Sequence, residues 1–195
     1  MSGRRLAFAL GLALLVVAGC DSRAPKFRNT DVTGADWGKV LALNGHDGKP
    51  RTLADFRGKV VVLAFGFTHC PDICPTTLSE LKAVKEKLGG DAARLQVLFM
   101  TLDPERDTPE VLAKYVPAFD AGFVGLSGDL EATARAAKEF KVFFQKVPGK
   151  RPGEYAVDHS TSSYVFDTQG RLRLFVRHEQ LGTLVDDVRA LLRGG

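Results

Sequence analysis

Two thiols stand where an apolar strand gives way to a helix. Val60-Val61-Val62-Leu63-Ala64-Phe65-Gly66-Phe67 is almost wholly apolar and rich in β-branched residues, the pattern of a strand buried on both faces. Leu78, Leu81, Val84 and Leu88 then recur at helical spacing. Between them lies Cys70-Pro71-Asp72-Ile73-Cys74-Pro75. Pro75 suits the first turn of the helix, where a missing N–H costs nothing. The pair therefore sits at a helix N-terminus, whose positive end favours thiolate over thiol; thiolate is both the nucleophile and the metal ligand.

The rest of the chain alternates strands with helices. Gly38 to Leu53 predicts an N-terminal β-hairpin around the turn formers Asn44 to Lys49. Leu95 to Leu102 predicts the next strand, and the polar loop Asp103 to Pro109 follows it. Thr108 is placed to cap a helix with Pro109 at its first position, with Leu112, Tyr115, Val116 and Phe119 on one face. Phe123 to Leu126 reads as a short strand. Asp129 to Phe140 reads as a helix with Leu130, Ala134, Ala137 and Phe140 inward. Val142 to Lys146 reads as a strand and Lys146 to Glu154, with two prolines and two glycines, as a turn or loop. Ser163 to Phe166 and Arg171 to Val176 predict a hairpin, and Leu184 to Leu192 a last amphipathic helix. These elements predict an α/β fold with a central mixed β-sheet flanked by helices. A dithiol at a strand-to-helix junction, ahead of a β-hairpin and a final helix, resembles the thioredoxin fold.

The N-terminus reads as an address. Arg4 and Arg5 precede a thirteen-residue apolar run, Leu6 to Ala18, too short for the roughly 20 residues that span a bilayer. It ends in Val17-Ala18-Gly19-Cys20, which resembles the lipobox of bacterial lipoproteins, with Cys20 lipidated. An uncleaved anchor with an incidental cysteine is the alternative. The chain thus divides into a signal peptide at 1–19, a lipidated tether at 20–36 and one domain at 37–195. Asp21 resembles an inner-membrane retention signal. The net charge is +4, and removing the signal leaves 25 basic against 23 acidic residues. That balance, with no aromatic-basic interleaving, argues against nucleic acid.

With Cys20 assigned to lipid, Cys70 and Cys74 remain. A bridge across so short a loop would stabilise weakly, so redox or metal chemistry explains the pair better than a structural disulfide. Two soft thiolates suit Cu(I), and imidazole is the natural third ligand. Of the four histidines, His159 is the favoured candidate, in a polar interruption just before the Ser163 strand. His69 adjoins the pair. His46 and His178 read as solvated. Asp158 is a candidate to orient His159 by a hydrogen bond. Asp72 and Asp103 are candidates to lie near the site or to serve as turn residues, and Met100 reads as core.

Phe67-Thr68-His69-Cys70-Pro71-Asp72-Ile73-Cys74-Pro75-Thr76-Thr77-Leu78 resembles the signature of the Sco/SenC copper proteins. Leu102 to Pro109 resembles their second motif and Asp158-His159-Ser160 their histidine motif. The resemblance runs from Trp37 to the C-terminus. It implies a thioredoxin-like, membrane-anchored metallochaperone on the periplasmic face of the inner membrane. It implies one Cu(I) or Cu(II) per monomer, held by Cys70, Cys74 and His159. The implied role is assembly of the CuA centre of cytochrome c oxidase subunit II, by copper transfer, by reduction of the target's cysteines, or by both. Other periplasmic copper chaperones are implied as further partners, and the default state is a monomer.

The main rival is a membrane-anchored thiol-disulfide oxidoreductase without physiological copper, which needs Cys70 and Cys74 but not His159. A plain thioredoxin carries a proline before the strand at Ser163, and this chain does not. A peroxiredoxin needs proline at 64 and threonine at 67, where this chain has Ala64 and Phe67. A copper-responsive sensor is a third, non-enzymatic reading.

Overall fold

The computed structural model describes residues 26–194. Strand β1 (Thr30–Asp31), β2 (Ala42–Gly45) and β3 (Pro50–Thr52) precede the central strand β4 (Val60–Gly66). Helix α1 (Ile73–Leu88), β5 (Leu95–Thr101), α2 (Pro109–Tyr115), β6 (Val124–Ser127) and α3 (Leu130–Glu139) follow. Then come β7 (Phe144–Pro148), β8 (Tyr155–His159), β9 (Ser163–Phe166), β10 (Leu172–Val176) and α4 (Leu184–Arg193). Eight strands form one mixed sheet in the order β1-β10-β9-β4-β5-β6-β2-β3, and β7 and β8 pair separately. In the large sheet β4 runs parallel to β5 and antiparallel to β9. The fold is thioredoxin-like, with β2–β3 as the expected N-terminal hairpin added beyond β6.

Burial follows from the patterns. All seven residues of β4 and all seven of β5 are buried, as apolar runs covered on both faces must be. The predicted apolar face of α1 is fully inward, joined by Cys74 and Thr77. Thr108 caps α2 through the Val111 N–H, with Pro109 in the first turn. Helix α3 is turned relative to expectation. Thr133, Ala136, Ala137 and Phe140 face the core, whereas Leu130 and Ala134 are exposed. The observed set is the i, i+3, i+4, i+7 stripe. In an alanine-rich segment, side-chain hydrophobicity alone marks that stripe poorly.

The chain packs earlier than the expected tether allows. Phe27 lies against the core and β1 pairs with β10. The buried Asp187 carboxylate accepts the backbone N–H groups of Arg28 and Asn29 at 2.7 and 3.0 Å and the Asn29 side chain at 2.7 Å. These polar anchors carry no periodicity, which is why residues 27–36 read as a linker. Residues 1–25, with the expected signal peptide and Cys20, lie outside the described residues.

Candidate metal centre

The site forms where β4 ends. Beyond Gly66 the chain turns through Thr68 and His69 to Cys70, whose N–H bonds to the Phe67 carbonyl at 3.2 Å. Helix α1 then starts, with Asp72 at the cap position but its side chain making no cap bond. The Cys70 sulfur takes that part and accepts the Cys74 N–H at 3.3 Å. A free N–H at the helix start is thereby satisfied by the sulfur of the dithiol itself. Cys74, the second residue of α1, is 2% exposed and faces the sheet. A side chain at Gly66 would put its Cβ 2.7 Å from the Cys74 sulfur and 2.7 Å from the Phe99 ring. Only glycine lets α1 settle this closely on β4.

The two thiols differ. Burial pushes the Cys74 thiol well above its ordinary pKa, and the Cys70 sulfur beside it adds to the shift. Helix-end stabilisation of thiolate therefore does not govern Cys74: the helix dipole offers less than desolvation removes. Cys70 is the more accessible sulfur.

His159 closes the site from 85 positions away, with Nε2 3.8 Å from the Cys74 sulfur. Its Nδ1 lies 2.8 Å from the Ser160 carbonyl. A carbonyl only accepts, so Nδ1 carries the proton and the Nε2 lone pair points at the sulfur. Burial lowers the His159 pKa, against the opposing pulls of the Ser160 carbonyl and the Asp158 charge. The Phe67 ring meets the imidazole edge to face, with centroids 5.9 Å apart. The orienting partner of His159 is thus Ser160 and not Asp158. Neighbouring strand residues face opposite ways, and the Asp158 side chain is exposed.

Two buried carboxylates from the loop after β5 hold the halves of the site. Asp107 accepts the Thr68 N–H at 2.9 Å, the Thr68 hydroxyl at 2.5 Å and the Thr101 hydroxyl at 2.6 Å. It fixes the turn that carries Cys70. Asp103 accepts the Tyr155 hydroxyl at 2.8 Å and pairs with the Arg106 guanidinium. Arg106 also donates to the Tyr155 carbonyl at 3.0 Å and stacks 3.6 Å from the Tyr155 ring centroid. This clamp ties the start of β8, and so His159, to the end of β5. Asp103 is therefore a buried support for the hairpin. Thr68, Arg106 and Asp107 lay within the motifs that carry the resemblance without a role of their own, and Tyr155 went unmarked; a cluster of charges directly after a buried strand was the available signal.

The remaining histidines are elsewhere. His69 is exposed and within 3.2 Å of the Thr68 hydroxyl. His46 and His178 are not simply solvated, since His46 Nδ1 accepts the Gly125 N–H at 2.9 Å and His178 lies 2.9 Å from the Thr77 hydroxyl. Met100 is buried core. Among the described residues no three Cys, His, Asp or Glu side chains are already arranged around a point an ion could occupy. Cys74 and His159 are in contact, while the Cys70 sulfur is engaged by the helix start.

A family model described as SCO1/SenC matches residues 30–193. The chain belongs to the SCO1/SenC family. This Sco family member is 42% identical over 132 residues to the mouse protein "Protein SCO2 homolog, mitochondrial", covering 67% of this chain and 52% of that one. The chain spans about half the length of the first curated relatives it matches. The fold superimposes on apo Sco1 from Thermus thermophilus with a TM-score of 0.76 and 43% identity, over 87% of this chain and 99% of that one. It also superimposes on Bradyrhizobium japonicum ScoI with copper bound, with a TM-score of 0.71 and 35% identity, over 80% and 98%. A further solved structure of the same fold, BsSco, is described as a member of the Sco family of cytochrome c oxidase assembly proteins.

Proposed function

We propose that this Sco protein is a copper metallochaperone that takes one copper ion through Cys70, Cys74 and His159. It assists assembly of the CuA centre of cytochrome c oxidase subunit II. The observation that carries the reading is the 3.8 Å approach of the His159 Nε2 lone pair to the Cys74 sulfur. A soft donor pair with a neutral imidazole suits Cu(I) and also accepts Cu(II). An unprotonated imidazole beside a buried thiol also serves a copper-free reductase, as a base for the resolving sulfur, so what favours copper over that rival is the company of copper-bound Sco relatives. Related Sco proteins have been crystallised with copper.

Each residue has a distinct task. His159 arrives deprotonated at Nε2, because its only ring proton is held by Ser160. Cys74 gives up a proton when copper binds, since the ligand is the thiolate. The Cys70 sulfur has a lone pair to spare for the ion beside the one that accepts the Cys74 N–H. As the accessible sulfur it is also where a partner's thiolate exchanges first. Copper supplies a soft electrophile that thiolates pass between them. In the metal-free dithiol, the Cys70 thiolate attacks a target disulfide and Cys74 resolves the mixed disulfide. Two electrons and two protons leave this chain as its own disulfide forms.

In this reading Cys20 carries lipid and holds a monomeric domain on the periplasmic face of the inner membrane. Subunit II and other periplasmic copper chaperones come to it there. Anaerobic Cu(I) titration of the reduced protein against a competing chelator, beside His159→Ala, tests the site. One copper per chain, held much more weakly in the variant, supports it. Binding indifferent to His159 refutes it and moves the assignment to a dithiol reductase.

A further inference from the structure

A face of the domain that reaches to the end opposite the cysteines carries an excess of positive charge. Arg57, Gly58 and Lys59 lead into the start of β4, and the Asp167–Gly170 turn abuts them through the Gly58 N–H to the Thr168 carbonyl at 2.8 Å. Cys70 lies past the other end of that seven-residue strand, roughly 20 Å away along its axis. A hollow of about 660 Å³ opens beside the turn, between Trp37, Lys39 and the Gly170–Arg173 segment. A second concavity shares Lys39 and Gly170 with it and adds Arg57. A third shares Trp37 and adds Lys138 and Lys141.

Around these joined hollows stand six cations: Lys39, Arg57, Arg171, Arg173, Lys138 and Lys141. Arg135 is offset by Glu131. Against them stand Asp36, Glu139 and Asp167, the last shared by Arg171 and Arg173. The patch thus holds a net +3, against +2 for the whole chain without its expected signal peptide. Among the described residues Lys39 and Arg57 form no ion pair. Apolar groups sit within the ring of charge. Val40 is 65% exposed, and half-buried Trp37 has the Lys141 ammonium 5.0 Å from its ring centroid. A tryptophan flanked by lysines beside an exposed aliphatic is what suits the headgroup level of a membrane.

We propose that this face docks on anionic phospholipid headgroups, with Lys39 and Arg57 on the phosphates and Trp37 and Val40 at the acyl boundary. The inference rests on the reading of Cys20 as the lipid anchor. Lys26 is six residues after Cys20, so a fully extended link spans at most roughly 20 Å. The described chain enters the fold at β1, and Thr33 to Ala35 line the same hollow. Strand β1 starts at mid-sheet, with Thr30 opposite Phe175, and runs towards this hollow, so the tether is long enough for this face to meet the bilayer. Docking points the cysteines away from the membrane, towards incoming partners. The lysine-flanked tryptophan and the exposed valine, within reach of the tether, favour a lipid surface over an acidic protein.

Trp37 is the chain's sole tryptophan, so its fluorescence reports this face alone. The full chain is mixed with nanodiscs of phosphatidylglycerol or of phosphatidylcholine, with and without brominated acyl chains. Mass spectrometry reads acylation of Cys20. Quenching of Trp37 by brominated phosphatidylglycerol is expected. It should be weak on phosphatidylcholine and fade with salt. Lys39→Glu/Arg57→Glu should lower the docked-to-undocked ratio by at least about fivefold for each cation removed, with circular dichroism and thiol titre unchanged. An acylated chain whose Trp37 is unquenched overturns the docking face and leaves the anchor standing. A chain without acyl groups that is still quenched overturns the anchor and leaves the face standing. Trp37 fluorescence that responds to an acidic protein and not to phosphatidylglycerol reassigns the face to a protein partner.

Discussion

Strand β4 and the β7–β8 hairpin bring their side chains to the same spot from very different supports. All seven residues of β4 are buried and paired on both sides, whereas in the hairpin only Val157 is buried. The dithiol therefore rests on the most stable part of the molecule. His159 rests on a two-stranded ribbon that would be marginal alone. What holds the ribbon is the clamp of Asp103, Arg106 and Tyr155, together with paired bonds between Phe143 and Ser160. The thiols are thus prepared in advance, and the histidine is a conditional third donor. Such a division suits a site that must hold an ion and later release it.

The largest effect should come from the rigid side. Leu63→Ala removes a side chain with no exposed surface at the middle of β4 and should cost about 2–5 kcal/mol in denaturant unfolding. Hydrogen exchange in the hairpin should keep its opening free energy until global unfolding overtakes it. Uniform loosening of both regions would contradict the contrast. Next comes Asp107→Asn. Asp107 receives three donors, and an amide in its place turns one acceptor into a donor facing donors. A loss of about 3 kcal/mol is expected, with faster alkylation of Cys70 as its turn loosens.

Tyr155→Phe is aimed at the hairpin. It deletes the hydroxyl that Asp103 accepts and leaves a buried carboxylate oxygen short of a partner, at about 2 kcal/mol. Most of that loss should appear as local opening of β7–β8 in hydrogen exchange. The near contact of His159 with Cys74 should weaken with it, read as a shifted ring resonance for His159. Equal loss of protection in β4 would show that the two regions are one cooperative unit.

The same contrast decides what the sequence disclosed. Strand β4, the face of α1 and the dithiol junction were legible because burial on a regular element leaves a period. The hairpin was half legible: Val142 to Lys146 read as a strand, and β7 runs over Phe144–Pro148. Asp158-His159-Ser160 read as a polar interruption, although Tyr155–His159 is strand β8 with only Val157 buried. The clamp was hidden for another reason: its partners lie 49 to 52 positions apart, and nothing local marks Arg106 as facing Tyr155. His159 was reachable through chemistry, because two thiolates want an imidazole. Its orienting atom was not, because a backbone carbonyl has no letter in the sequence. Asp158 was the nearest visible substitute, and it faces the other way. The turned face of α3 follows the same rule, since alanines pack or face water at little difference in hydrophobicity.

The smallest expected effect lies at the far end of the sheet, in the β9–β10 turn. Asp167 is buried, and burial alone would raise its pKa. The Arg171 N–H, the guanidinium bonds of Arg171 and Arg173 and the Gln169 N–H outweigh that and hold it below the usual carboxylate range. A carboxylate with a depressed folded pKa contributes stability that is complete above its ordinary pKa and is lost as the pH falls through the folded value. Arg171 is more than half exposed, so solvent screens part of that contribution and about 1 kcal/mol is expected. Asp167→Asn should show this loss at neutral pH and a correspondingly flatter acid limb in the pH dependence of unfolding. Because the turn joins two strands of the main sheet, the loss belongs to global unfolding and should leave hairpin exchange unchanged. An acid limb that survives the substitution unchanged would overturn the assignment of that limb to Asp167, and hairpin exchange that changes with it would show that the turn and the ribbon are not independent.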